Sequence, residues 1–232
     1  MELISKTEES FLNWLRDNVK GEMVCLDVGA NKGFYSTGLL EQLDDKIKTL
    51  YCFEPVPSNF VYCRQKFENN PKVKLHLNAC SNEKKDLPFY QIISDNVGLE
   101  GLSSLNNRPV FNSLKTQKIT VSCVVLNDIL DIDDKDEIFA KIDVEGHELE
   151  VLEGMSKYFK NGQIKAIQFE YGNCILEQNK NLRDIEKYLK EFKIYSIYDF
   201  NESLGLIKID DTNIENYINA TWSNLYIIKK II

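Results

Sequence analysis

The sequence predicts an α/β fold: a doubly wound, mostly parallel sheet with helices on both faces and one reversed strand near the C-terminus. Three observations predict it. Apolar runs of strand length alternate with stretches of helical periodicity along the 232 residues. The runs are nearly continuous in apolar residues, as parallel strands covered on both faces require. Their carboxyl ends carry Asp27, Glu54, Asn78, Asp143 and Glu170, at the edge where such sheets bind ligands.

Each element has a local reason. Thr7 offers an N-cap, Glu8 and Glu9 fill a first turn, and Phe11, Leu12, Trp14, Leu15 and Val19 make an apolar stripe; this is a packed helix over 7–19 without chemistry of its own. Met23–Val28 is the first strand, followed by a glycine turn and a helix carrying Leu39, Leu40 and Leu43. Thr49–Phe53 is the second strand, stopped by Pro55, and a helix runs from Pro57 to about 69. Strands follow at 73–77 and 119–125, with a short edge strand at 89–93 between them. A turn or short helix covers 126–134, then a core strand 138–142 and a helix 146–155 with Gly154 near its end. Strands at 164–169, 193–198 and 224–228 and a helix at 182–192 complete the pattern. Two polar stretches, 94–118 and 199–222, read as irregular excursions that frame an acceptor site. The expectation is a single domain over 1–232, with 1–20 as its N-terminal helix.

Composition narrows the function. The formal net charge is −8, which argues against a nucleic-acid partner, since phosphate neutralisation needs a basic face. Six cysteines without a C-x-x-C pair read as buried reduced thiols. The first nine residues have no signal-peptide core, and no apolar run reaches the roughly 20 residues of a membrane span. A cytoplasmic, soluble chain is expected, of open oligomeric state.

The turn Asp27–Val28–Gly29–Ala30–Asn31–Lys32–Gly33 is a strand–turn–helix cofactor cradle. It is not G-x-G-x-x-G, because Asn31 stands where backbone must meet a pyrophosphate, and the P-loop pattern is absent. Glu54 ends the next strand, where a carboxylate can accept hydrogen bonds from both ribose hydroxyls. An acidic pocket suits the ribose, adenine and sulfonium of S-adenosylmethionine.

Asp27–Ser36, Phe53–Glu54–Pro55 and Lys141–Ile142–Asp143–Val144–Glu145–Gly146–His147–Glu148, with Gly101–Leu105 and Ile167–Tyr171, resemble the FkbM family of S-adenosylmethionine-dependent O-methyltransferases. The resemblance runs from about 21 to 230. Asn127 departs from it, standing where the family often has an aspartate before a second acid, here Asp128. The resemblance implies a Rossmann-like class I methyltransferase fold with a mostly parallel seven-stranded sheet. It also implies methylation of a hydroxyl on a sugar, glycan or other small molecule. A nicotinamide-dependent oxidoreductase and a non-catalytic binding module that kept the fold are the alternatives.

Under this reading Asp27, Gly29, Asn31 and Gly33 form the cradle, with Asp27 and Gly29 at the methionine end. Glu54 holds the ribose, Asn78 and Ala79 lie by the adenine, and Asp143 also binds the cofactor. Asp143, Glu145 and His147 form a D-x-E-x-H cluster where the hydroxyl must lose its proton. His147 suits the base role by its ordinary pKa near 6.5, and Asp143 suits it by position. The same three residues could supply metal ligands, but with two histidines in the chain no metal is assigned. Ser103, Ser104, Arg108, Tyr171 and Asn173 are candidate acceptor contacts.

Overall fold

The computed structural model describes residues 4–93 and 99–230. Within them the strands are β1 (Met23–Val28), β2 (Ile47–Phe53), β3 (Val73–His76), β4 (Ala79–Cys80), β5 (Asp86–Ile92), β6 (Thr116–Val124), β7 (Glu137–Ile142), β8 (Ile164–Gly172), β9 (Tyr195–Asn201), β10 (Gly205–Ile209) and β11 (Trp222–Lys229). The helices are α1 (Lys6–Asn18), α2 (Phe34–Leu43), α3 (Pro57–Phe67), α4 (Leu126–Ile129), α5 (Glu148–Glu153), α6 (Ser156–Lys160), α7 (Asn173–Leu176), α8 (Leu182–Lys190) and α9 (Glu215–Ile218).

Eight strands form one sheet in the order β10-β9-β11-β8-β7-β1-β2-β3. The strands from β8 to β3 in that order pair in parallel. β11 is antiparallel to β8 and β9, and β10 is antiparallel to β9. The architecture is the predicted α/β class, with one strand and one reversal more than expected. The extra strand is β10, inside the 199–222 stretch read as irregular. Asn201 turns the chain there, its Oδ1 accepting the N–H groups of Ser203 and Leu204, and a short edge strand follows.

The expected strand at 119–125 also forms elsewhere. As β6 it joins β4 and β5 in a separate three-stranded sheet, packed through Val56, Ala79, Phe89, Val121 and Cys123. A bridge between Tyr90 and Ser104 ties the first excursion to this small sheet. Residues 94–98 of that excursion lie outside the described residues.

Burial explains the layers. Every residue of β1 is buried, consistent with helices on both faces. One face packs on α1, α2 and α3 through Phe11, Leu15, Leu39, Leu43 and Phe67. The other packs on α5, α6 and α8 through Leu152, Phe159, Ile185 and Leu189. α1 begins at Ser5 and not at Thr7: Ser5 and Glu8 form a reciprocal capping box. Phe11 then stacks on Tyr226 with ring centroids 3.9 Å apart, which holds α1 across β11. All six cysteines are buried and free of disulfides. Among the described residues no helix is long and apolar enough to cross a membrane.

Candidate active site

The carboxyl ends of β1, β2 and β7 open into one cavity of about 370 Å³, within the roughly 300–1,000 Å³ of small-ligand sites. Its floor is the turn after β1. The N–H groups of Gly29 and Ala30 both donate to the Phe53 carbonyl at 3.0 Å, which locks this turn to β2. Gly29 has φ +86°, and a Cβ there would stand 1.8 Å from the Asp143 carbonyl oxygen. Only glycine lets the turn lie this close to the end of β7.

Glu54 stands beside this floor. One of its oxygens accepts the Asn31 N–H at 2.8 Å and the other the Val56 N–H at 2.9 Å. The Val56-bonded oxygen also accepts from Asn59 Nδ2 at 3.5 Å, and the Asn31-bonded oxygen keeps a further lone pair. Burial pushes the Glu54 carboxyl up to about 7, although both N–H groups favour its ionised form. Asn31, Asn78 and Ala79 also line the cavity, and the Asn31 Oδ1 is buried without a partner.

Two of the cradle residues sit behind the wall. Asp27 is fully buried; one oxygen accepts from the Ser36 hydroxyl at 2.5 Å, and the other has no partner. Gly33 caps α2 and packs against the Phe67 ring. Neither is among the lining residues.

The far wall is charged. Asp143 and Glu145 line the cavity, and Glu170 shares a hydrogen bond with Asp143. Carboxylate oxygens of these three residues lie within 4.8 Å of one another. Lys141 donates to Asp143 at 2.7 Å. Burial opposes the charge on Asp143, but Lys141 and the Glu170 hydrogen bond hold it below its ordinary value. Burial and the Asp143 charge push Glu170 up, so the proton of this pair resides on Glu170. Three oxygen donors have the chemistry of a hard-cation site, yet Lys141 and Arg108 already neutralise Asp143 and Glu145.

Other predicted residues are used elsewhere. His147 is not a lining residue; its Nε2 shares a 2.9 Å hydrogen bond with the Ser81 hydroxyl, and its Nδ1 lies 3.8 Å from Glu150. Burial lowers its pKa. Arg108 is buried and clamps Glu145 and Glu177. Ser104 is buried, its hydroxyl donating to the Glu145 carbonyl at 2.7 Å. The Tyr171 hydroxyl donates to the Ile218 carbonyl at 2.7 Å and accepts the Leu182 N–H. Asn173 opens α7 outside the cavity lining. Of the five expected acceptor contacts, Ser103 alone lines the cavity.

Some cavity residues had no sequence assignment. Glu8 reaches the wall from α1 and accepts from Gln168 Nε2 at 2.8 Å. Gln168 in turn accepts the Tyr35 hydroxyl at 2.7 Å. Tyr35 lies under Lys141, whose Nζ is 5.3 Å from the ring centroid. Period-two spacing could have found Lys141, since it shares a strand face with Asp143. Nothing local marked Glu8, which meets Gln168 across 160 positions of sequence.

No curated protein matches the chain. Among solved structures, the methyltransferase FkbM from Methylobacillus flagellatus is 16% identical with a TM-score of 0.54, over 89% of this chain and 43% of that one. This chain thus spans less than half the length of that relative. An rRNA methylase from Streptococcus thermophilus is 10% identical with a TM-score of 0.48, over 98% and 99% of the two chains. TrmK from M. capricolum, in complex with S-adenosylhomocysteine, is 14% identical with a TM-score of 0.44, over 98% and 69%. Residues 27–194 match the family described as the methyltransferase FkbM domain, a stretch that holds the strand ends from Asp27 to Glu170; the chain belongs to this family of S-adenosylmethionine-dependent methyltransferases.

Proposed function

We propose that the cavity methylates a hydroxyl group on a sugar, glycan or other small hydroxylated molecule, with Asp143 as the base. The observation that carries this reading is an ionised carboxylate, held by Lys141, on the cavity wall opposite the Glu54 end. The residues fit S-adenosylmethionine. Gly29 leaves the floor clear, Glu54 has acceptor capacity for ribose hydroxyls, and the unpartnered Asn31 oxygen stands on the cavity lining. Asn78 and Ala79 suit the adenine end.

S-adenosylmethionine, held by Glu54 and the Gly29 turn, would supply an electrophilic sulfonium methyl for the acceptor oxygen, with S-adenosylhomocysteine as the leaving product. Asp143 takes the hydroxyl proton. The hydroxyl becomes acidic as its oxygen is alkylated, so an already ionised carboxylate suffices. Lys141 keeps Asp143 charged, and Glu170, holding its own proton, orients it by hydrogen bond. The excursion residues Gly101–Ser103 and Leu105 close one side of the cavity, which excludes water from the transfer.

Asp143→Asn should lower kcat by about 10²–10⁴-fold, the usual worth of a general base, with S-adenosylhomocysteine affinity kept by calorimetry. His147→Gln should leave kcat within about threefold. Lys141 and the Glu170 hydrogen bond hold Asp143 below its ordinary value, so kcat at saturating cofactor stays level from about pH 5.5 to 8. A kcat that falls below about pH 6.5, and that His147→Gln abolishes, would return the base role to His147.

A further inference from the structure

Trp222 is 64% exposed, an unusual place for an indole, and it stands on the sheet face that carries the proposed base. Strand register fixes this. In β8, Gln168, Glu170 and Gly172 alternate onto one face, and their partners in β11 are Tyr226, Asn224 and Trp222. Gln168 bonds Tyr35, and Tyr226 stacks on Phe11, so this is the face covered by α1 and α2. The cover ends at the Gln168 row, where Glu8 closes it. The next row carries Glu170 and Asn224, and the outermost row carries Gly172 and Trp222.

Trp222 is therefore the diagonal cross-strand neighbour of Glu170, with Cα atoms roughly 7–8 Å apart and within reach of a long aromatic side chain. Gly172 adds no side chain between them. A Cβ there would lie 2.4 Å from the Thr221 carbonyl oxygen, so the close approach of β11 enforces the gap. Beyond the cavity mouth, this row pairs a carboxyl group and an amide with an exposed aromatic face.

We infer that Trp222 is the acceptor platform, seating a pyranose ring whose hydroxyl points to Asp143. The inference rests on the methyl-transfer reading above. A sugar ring has one face of C–H groups, which suits the indole, and a rim of hydroxyls, which suits Glu170, Asn224 and Asp143. The wall's charge supports a neutral acceptor. Lys141 and Arg108 are both engaged in ion pairs, and Glu8 also lines the cavity, so neither cation is offered to an acidic sugar or a phosphate.

The chain has two tryptophans, and Trp14 is packed on Phe11, so a Trp14→Phe protein reports on Trp222 alone. With saturating S-adenosylhomocysteine, a panel of methyl pyranosides is titrated and acrylamide quenching of Trp222 emission is read, beside turnover with S-adenosylmethionine. At least one pyranoside should shield Trp222 and be methylated. In the otherwise wild-type protein, Trp222→Ala should raise its KM by about tenfold, with S-adenosylhomocysteine affinity unchanged and Trp222→Phe restoring most of the loss. A methylated pyranoside whose KM ignores Trp222→Ala overturns the platform and leaves the transferase reading intact. Shielding by no pyranoside at millimolar concentration, or by a phenol panel instead, overturns the sugar seat. Failure to bind S-adenosylhomocysteine overturns the methyl-transfer reading itself.

Discussion

Glu54 should make cofactor affinity depend on pH, with a sign and size that the site dictates. Its carboxyl is 5% exposed, and burial lifts its pKa to about 7. In the free protein, about a tenth of the molecules carry the ionised carboxylate at pH 6 and about nine tenths at pH 8. Ribose hydroxyls donate to the ionised form best, because the proton of the neutral form occupies one oxygen. Binding therefore draws the pKa down, and affinity for S-adenosylhomocysteine rises with pH, by about tenfold or ~1.4 kcal/mol between those limits. Calorimetry in two buffers of different ionisation enthalpy reads both quantities. It should count close to one proton released near pH 6 and almost none near pH 8. Glu54→Gln should abolish the slope and the proton release, and lower affinity at the upper limit. Equal wild-type affinity at both pH values, or a slope that survives Glu54→Gln, refutes the assignment of Glu54 to the cofactor.

Two further outcomes follow from the same wall. Gly29→Ala forces a Cβ to within 1.8 Å of a β7 carbonyl at φ +86°; it should cost about 3 kcal/mol or more in urea unfolding and weaken S-adenosylhomocysteine binding. Wild-type stability in that variant would mean the turn and β7 are not in contact. Cofactor-free stability should fall as pH rises from about 6.5 to 8. Glu54 and Glu148 are lifted by burial to about 7 and Glu145 to about 8. A raised carboxyl stabilises the fold below its unfolded value and loses that contribution as pH passes its folded value. His76 and His147, both lowered by burial, oppose this only below their ordinary 6.5 or so. Thermal unfolding without ligand reads the slope, and a flat or rising profile contradicts the burial of these carboxyls.

Much of the fold was legible because its signals are local. Continuous apolar runs, Pro55 and Pro57, and the turn after Val28 each determine an element without distant partners. The acids at strand ends marked the right edge of the sheet, and Glu54 and Asp143 do line its cavity. What the sequence concealed depends on contacts between distant segments. Glu8 looked like a helix-dipole partner, and it is one, but the packing of Phe11 on Tyr226 also carries it to the site. Arg108 looked like a loop cation free to meet an acceptor, and the loop instead spends it on Glu145 and Glu177.

The D-x-E-x-H cluster shows how a motif of regular spacing can divide between the cavity and the packing behind it. Spacing of two places residues on one side only while the backbone stays extended. β7 ends at Ile142, and Glu145 and Gly146 then take φ of +57° and +101°. Two successive positive φ values end the extended alternation, so spacing beyond Glu145 no longer reports side. Asp143, before the break, keeps the strand's alternation with Lys141 and meets the cavity. Glu145, at the break, still lines the cavity beside Asp143 while Arg108 clamps its carboxylate. His147, after it, meets Ser81 and stands at the N-terminal boundary of α5. The positive φ at Glu145 is unfavourable for a residue with a Cβ, and it is held by the Ser104 hydroxyl on its carbonyl and Arg108 on its carboxylate. The buried polar residues of the first excursion thus form the brace that fixes where the motif leaves the extended strand.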